Sequence, residues 1–370
     1  MQRAIELARK GVGAVNPNPL VGAVIVKNDE IIGEGYHTKY GDLHAEREAF
    51  KDAAEKGNDV RDAEMYVTLE PCSHTGKQPP CTEAIIKSGV KRVYVGSDDP
   101  NPQVAGSGIW NLRMAGIEVI THCMKEECDE LNPVFFHFIT KRTPYLVYKY
   151  AMTLDGKTCT CTSKSKWISN ELSRSLVQDF RNEFSAIMVG IGTVLKDDPS
   201  LACHKEGGRN PIRIICDSDL RIPISSQIVN TADTIKTYIV SLSENEKKNR
   251  EKIRILKDKG IGTLLIPADE NGSIDLSRLM IQLGKMNIDS ILLEGGGKIA
   301  WSVFEAGYVD EIRCFLAPKV FGGSMAGTPV GGPGVDEPGD SARFDLVEMK
   351  NLDGDIYLRY LRSSVDYNDD

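Results

Sequence analysis

The sequence predicts an α/β protein built from two domains. Three observations predict it. The 370 residues exceed one average domain. Short β-rich runs alternate with helix-patterned runs in both halves. The pattern also restarts near residues 135–145, "FFHFITKRTPY", where Pro144 and the basic residues before it suggest a short linker.

The first half reads as helices covering a sheet. The opening "MQRAIELARKG" is a short amphipathic helix without the apolar region of a signal peptide. Residues 21–27 are a strand, Asn28 and Asp29 a turn, and "EIIGEGY" the returning strand of an antiparallel hairpin. "HAEREAFKDAAEKG" places Ala45, Ala49 and Ala53 at four-residue spacing and stops at Gly57, which predicts a helix. "EMYVTLE" is a strand, "CTEAIIKSG" a short helix ended by Gly89, and "VKRVYVG" a strand. Residues 107–115 are a helix and "IEVIT" a last strand.

The second half opens a new sheet with "YLVYKYA". A helix over 169–184 carries Leu172, Leu176, Phe180 and Phe184 at four-residue spacing. Strands follow at "AIMVG", "PIRIICD", "KTYIV", "GTLLI", "SILLE" and "EIRCFLA". Residues 322–334 are glycine-rich and read as a loop, and the tail "SSVDYNDD" is polar. No internal repeat is visible.

Hydrophobic residues make up 41% and charged residues 26%, an ordinary globular balance. The net charge of −8 argues against a nucleic-acid surface as the main business, while leaving room for a local pocket for one phosphate. No apolar run approaches the ~18 residues of a membrane span. Nine scattered cysteines, an odd number, fit a reducing cytoplasm better than a disulfide framework.

One constellation carries chemistry. His44, Cys72 and Cys81 are three metal-type ligands, and Glu46 follows the histidine by two residues. Zinc deaminases use one His and two Cys, keep the fourth position for water, and move protons with a nearby Glu that does not bind the metal. Their signature is H-x-E followed by P-C-x-x-C; here H-A-E and P-C fit, but the second gap is C-x8-C. His44 and Glu46 fall in the first turn of a predicted helix, where side chains lean past the N-terminal end. Cys81 follows Pro79 and Pro80 and opens the next helix, a position that favours the thiolate. Cys72 is expected at a strand end beside it. The alternatives are a structural zinc site, with His74 as fourth ligand, or unligated core thiols. The accompanying Glu46 favours catalysis.

"NPNPLVGAVIV", "GDLHAE", "YVTLEPCSHTGKQPPC" and "SDDPNPQVAGSGI" together resemble the deaminase half of the bifunctional riboflavin-biosynthesis deaminase/reductase family, and the resemblance runs along nearly the whole chain. It implies a cytidine-deaminase-like three-layer α/β/α domain over residues 1–142. It further implies that Asn18, His37, His74, Lys77 and Asn101 line a pyrimidine–ribose-phosphate pocket, with Lys77 facing a phosphate or carbonyl. Gln78 stands where the family usually shows threonine.

In the second half, "LLEGGGKIA" is a strand running into glycines and then a helix. Backbone N–H groups at such a start can hold a pyrophosphate, although a plain helix-start turn reads equally well. Taken alone, Trp167 reads as core and Arg181 as either a phosphate ligand or a solvated residue. "AMTLDGK", "SKWIS" and "VGIGTVLKDDPSL" complete a resemblance to the family's reductase, which implies a dihydrofolate-reductase-like α/β domain over 143–370. It implies NADPH contacts at Ala151, Trp167, Thr193, Asp197, Gly295, Gly296 and Gly297. It implies substrate contacts at Ser165, Arg181, Leu201, His204 and Glu294. His204 replaces a usual arginine, and Ser163 a usual glycine. No proton donor for the reduction is evident from sequence.

The expected function is therefore two-step: zinc-dependent deamination of a pyrimidine ribosyl phosphate, then NADPH reduction of its ribosyl chain. The expected setting is a cytoplasmic homo-oligomer acting on a small molecule, with no nucleic acid or membrane partner. The rival reading is a nucleoside or nucleic-acid deaminase with an appended domain that is not a reductase.

Overall fold

The computed structural model of the chain describes residues 1–74, 78–101 and 105–363. The chain divides into two compact units, Met1–Arg142 and Thr143–Asp370.

The first unit runs α1 (Gln2–Ala8), β1 (Gly22–Lys27), β2 (Glu30–Tyr36), α2 (Ala45–Glu55), β3 (Glu64–Leu69), α3 (Cys81–Ser88), β4 (Arg92–Ser97), α4 (Ser107–Met114), β5 (Glu118–Ile120), α5 (Lys125–Asp129) and α6 (Pro133–Lys141). The strand order is β2-β1-β3-β4-β5. β1 is antiparallel to both β2 and β3, whereas β3, β4 and β5 are parallel. Asn28 and Asp29 both take left-handed backbone, φ 53° and 63°, which matches the twist of a two-residue hairpin. Alternation along β1 then builds three layers. Ala23 and Ile25 face a core shared with Ala45, Ala49 and Ala53 of α2, Ile85 of α3 and Leu112 of α4. Val24, between them, packs on Ala4 and Leu7 of α1 across the sheet.

Close approach of α2 to the hairpin depends on small residues from both sides. A Cβ added to Gly33 would lie 2.5 Å from the Ala49 carbonyl oxygen, and one on Gly35 would lie 2.3 Å from the Ala49 nitrogen. The helix answers with Ala45, Ala49 and Ala53, all fully buried.

The expected linker over 135–145 is corrected. Most of it is the helix α6, opened by Pro133, and only residues 142–144 connect the units. Proline fits a first helical turn because its missing N–H has no partner there. The aromatic run reads less like a linker once its helical spacing is considered.

The second unit runs β6 (Tyr145–Thr153), α7 (Glu171–Glu183), β7 (Ala186–Gly190), α8 (Ile191–Asp197), β8 (Ile212–Cys216), α9 (Gln227–Asn230), β9 (Thr237–Leu242), α10 (Asn245–Lys248), α11 (Arg250–Asp258), β10 (Gly262–Ile266), α12 (Leu276–Lys285), β11 (Ser290–Leu293), α13 (Gly297–Glu305), β12 (Val309–Ala317), β13 (Phe344–Leu352) and β14 (Asp355–Arg362). The nine strands lie in the order β10-β9-β8-β7-β11-β6-β12-β14-β13. From β10 to β12 neighbouring strands are parallel, and β14 and β13 continue antiparallel. Both faces are covered. Met188 and Ile214 pack with α12 and α13, while Ile187, Val189 and Ile215 pack with α8 and α11.

α7 buries Ser173, Val177 and Phe180 and leaves Leu172 exposed, so the expected stripe of four is corrected. Four-residue steps overshoot a 3.6-residue turn by about 40° each, and such a row winds off the buried face.

Candidate active sites

In the first unit, His44 is the N-cap of α2 and Glu46 lies in its first turn. Cys81 is the first residue of α3. Cys72 lies three residues beyond the end of β3 rather than on it, which corrects the expected strand-end placement. The three ligand atoms fall within 4.8 Å of one another. His44 Nδ1 is 3.5 Å from Cys72 Sγ and 3.4 Å from Cys81 Sγ. Tetrahedral zinc with Zn–N near 2.0 Å and Zn–S near 2.3 Å separates N from S by about 3.5 Å, so the three residues fit the ion. His74 stands outside this cluster and is exposed.

The protonation of the ligands fits as well. The Cys72 thiol is pulled down by hydrogen bonding from Cys81 and His44, with the Cys81 backbone N–H 3.3 Å from its sulfur. Hydrogen bonding to Cys72, and then burial, pushes the Cys81 thiol up, so thiolate character falls on Cys72; this corrects the thiolate expected at Cys81 from its place at a helix start. Two sulfurs competing for one proton form a site that a divalent cation relieves. Burial, and then the Cys72 sulfur, pushes the Glu46 carboxyl above the usual carboxylate range, which suits a group that takes and returns a proton.

His44, Glu46 and Cys72 open on a cavity of about 280 Å³. Asn18, His37, His74 and Asn101 line the same cavity, as does Gln78, which donates to the Gly41 carbonyl at 3.2 Å. Lys77 lies outside the described residues. His37 Nδ1 is 3.0 Å from the Leu43 carbonyl, so it carries the proton, and Nε2 accepts from Asn18 Nδ2 at 3.1 Å. Burial holds the His37 pKa below the usual histidine value. The neutral ring fixes the amide of Asn18 at the rim.

Among the lining residues that sequence reasoning missed, four shape the cavity's chemistry. Phe135 and Ile139, one turn apart on α6, form an apolar wall. Asp99 is buried in the lining, and burial raises its carboxyl to about 6. Glu70 is buried beside it. The "LEPC" and "SDDPN" runs held both acids, but their inward direction is a tertiary fact.

In the second unit, Arg181 on α7 donates to both oxygens of Glu294, which follows β11, at 2.8 and 3.0 Å. Its Nη1 also donates to the Ala202 carbonyl at 2.8 Å, next to buried Leu201. Lys149 on β6 lies 3.7 Å from Glu294 and was missed from sequence, where it reads as one residue of a strand. Burial works against the Glu294 charge, but Arg181 and Lys149 outweigh it and pull the carboxyl down to about 2. Burial lowers the Lys149 ammonium.

Gly295 and Gly296 have φ 103° and 94°, and Gly296 caps the start of α13. A Cβ on Gly295 would approach Thr193 Oγ1 at 3.5 Å, and one on Gly296 would approach the Gly190 nitrogen at 3.4 Å. The beginnings of α8 and α13 thus lie side by side past the ends of β7 and β11, a paired helix start of the kind whose N–H groups hold a pyrophosphate, so the residues fit a dinucleotide. Trp167 is 64% exposed, with the Arg174 guanidinium 4.6 Å over its ring. Lys319 Nζ donates to the Trp167 carbonyl at 2.9 Å. Ala151 pairs with Phe315 within the sheet, and exposed His204 has Nε2 3.5 Å from Ser200 Oγ. Ser163 takes φ 65°, the region in which glycine is easier. Ser165 and Asp197 make no side-chain hydrogen bond among the described residues, and the structure does not draw them into the Glu294 cluster.

The sequence profile described as "RibD C-terminal domain" matches residues 144–358. That of the "Cytidine and deoxycytidylate deaminase zinc-binding region" matches residues 1–97. A riboflavin biosynthesis protein RibD of Actinobacillus pleuropneumoniae is 47% identical, covering 98% of this chain and 94% of that protein. The chain belongs to the RibD family. A RibD protein of Aquifex aeolicus is 40% identical over 98% of this chain and 97% of its own. A crystal structure from Thermotoga maritima, described as a diaminohydroxyphosphoribosylaminopyrimidine deaminase/5-amino-6-(5-phosphoribosylamino)uracil reductase, superposes with a TM-score of 0.86. It shares 38% identity and covers 98% of this chain and 97% of that one. As a RibD protein, the chain is a bifunctional enzyme of riboflavin biosynthesis, a zinc deaminase joined to an NADPH-dependent reductase. The cytidine-deaminase-like and dihydrofolate-reductase-like α/β folds are those expected. The rival reading, with an appended domain that is not a reductase, is not favoured.

Proposed function

We propose that residues 1–142 deaminate 2,5-diamino-6-ribosylamino-4(3H)-pyrimidinone 5′-phosphate and that residues 143–370 reduce the ribosyl chain, giving 5-amino-6-ribitylamino-uracil 5′-phosphate. Supporting this reading, His44, Cys72 and Cys81 form a three-ligand cluster beside buried Glu46 at the cavity. Full-length similarity to RibD proteins supplies the substrate.

Bound zinc supplies a water whose pKa falls from about 15.7 toward 7. Glu46 would take the two protons of that water in turn, passing the first to the ring nitrogen and the second to the departing amine. Asn18, held by His37, together with His74 and Asn101, orients the pyrimidine and its ribosyl phosphate. Phe135 and Ile139 exclude water from one side of the cavity.

Bound NADPH supplies the hydride. The Gly295–Gly297 backbone and Thr193 would hold its pyrophosphate, and Ala151, Asp197 and Trp167 would make its remaining contacts. Arg181, Leu201, Ser165, His204 and Glu294 hold the substrate. Reduction also needs a proton, and Lys149 is the buried donor beside Glu294; its lowered pKa makes it a readier acid.

The described residues contain no helix long and apolar enough to cross a membrane. We further propose a cytoplasmic homo-oligomer without a nucleic-acid partner. The free cysteines support the compartment, and the net charge of −8 supports the absence of nucleic acid. Edge strand β13 exposes Leu346, Val347 and Met349, which supports self-association.

Incubating the protein with the diaminopyrimidinone phosphate, with and without NADPH, tests the reading. Ammonia is expected in both samples and NADPH oxidation in the second. Ammonia release from cytidine but not from this substrate would overturn it.

A further inference from the structure

We infer that Glu70 is a positioning residue for the deaminase pocket: its buried carboxylate ties the wall that carries Asp99 and Asn101 to the segment that carries Cys72. Four backbone N–H groups converge on it. Oε1 accepts from Gly108 at 2.9 Å and Ile109 at 3.2 Å; Oε2 accepts from Gly106 at 3.0 Å and Asp99 at 3.4 Å. A carboxylate offers about four acceptor positions, so these amides fill it and leave nothing for a ligand. Glu70 therefore lines the cavity without the capacity to bind what enters.

The connection is mechanical. Glu70 stands two residues before Cys72, and its own N–H donates to the Ser97 carbonyl at 2.9 Å. On the other side, the Asp99 carboxylate accepts from the Asn101 N–H at 2.8 Å, which sets the rim turn. The joint is closed from the helix side as well. A Cβ on Gly108 would lie 2.1 Å from the Pro71 carbonyl oxygen and 3.1 Å from Glu70 Oε1, so α4 docks here only with glycine. Residues far apart in sequence thus share one anchor, and the spacing between metal ligand and pocket wall is set by it.

The inference rests on the deaminase reading of this cavity. Two variants test it in the full-length enzyme. E70Q keeps the shape but turns an N–H₂ toward two of the four amides. G108A leaves the carboxylate intact and pushes α4 away. For each, zinc per chain is measured by metal analysis, and KM and kcat for ammonia release are measured separately. The expected result is full zinc content, KM raised about tenfold or more, and kcat within about threefold of the parent. An unchanged KM overturns the inference. Zinc loss in both variants also overturns it, because Glu70 would then support the ligand set or the fold rather than the pocket wall. If E70Q alone loses zinc, G108A decides. Failure of the parent enzyme to deaminate the diaminopyrimidinone phosphate would instead sink the underlying reading.

Discussion

Arg181 and Glu294 meet through two nearly parallel hydrogen bonds, Nε to Oε1 at 2.8 Å and Nη2 to Oε2 at 3.0 Å, with both side chains largely buried. This pairing makes the second unit acid-sensitive. The Glu294 carboxyl is held down at about 2, whereas in the unfolded chain it titrates near 4.3. A depressed carboxyl contributes stability above its unfolded pKa and loses it as pH falls toward the folded value. The contribution is roughly 3 kcal/mol, present at pH 7 and lost between about pH 4.5 and 2. Urea titrations from pH 7 to 3 should show it, and R181Q should flatten that dependence while lowering stability at pH 7.

Replacing Glu46 by Gln should leave zinc bound and reduce ammonia release by about 10²- to 10⁴-fold, the usual worth of general acid–base catalysis. Metal analysis and a coupled ammonia assay check it. NADPH-dependent reduction of the deaminated substrate should continue at the parent rate, since Glu46 belongs to the other unit.

Stripping zinc with a chelator, or the C81S substitution, should abolish deamination and spare reduction. Differential scanning calorimetry should show the first unit melting earlier, because zinc binding adds to folding stability. Reduction lost in parallel would contradict the assignment of separate activities.

K149M should lower kcat for reduction by about 10²-fold and leave NADPH affinity, read by fluorescence titration, nearly unchanged. A rise in the NADPH dissociation constant with kcat intact would place Lys149 in cofactor binding instead.

Legibility differed from element to element. Residues whose role follows from spacing along one element were plain: His44 and Glu46 at a helix start, the Asn28–Asp29 turn, and the strand–glycine–helix passage at Gly295–Gly297. Residues whose role depends on distant partners were not. Lys149 reads as one residue of a strand until Glu294 arrives from just past the end of β11. Glu70 reads as part of a motif until four amides from 99–109 close on it. The β13–β14 hairpin escaped because β13 is mostly exposed and lacks a clear alternation, although the Asp353–Gly354 turn, at φ 51° and 95°, marked it. α6 escaped because its short aromatic run buries only Phe138 and so shows no clear apolar stripe in the sequence.

The contact between α2 and the β1–β2 hairpin allows almost nothing larger than hydrogen at two points of one strand. That helix also carries the imidazole and the acid of the deamination centre. A methyl group at position 33 or 35 would therefore act as a wedge, tilting the helix and shifting ligand and proton carrier together. Natural variants of the enzyme that change either position would be expected to lose metal before they lose their shape. Selection at those two glycines would then be for chemistry, although neither touches a reactant.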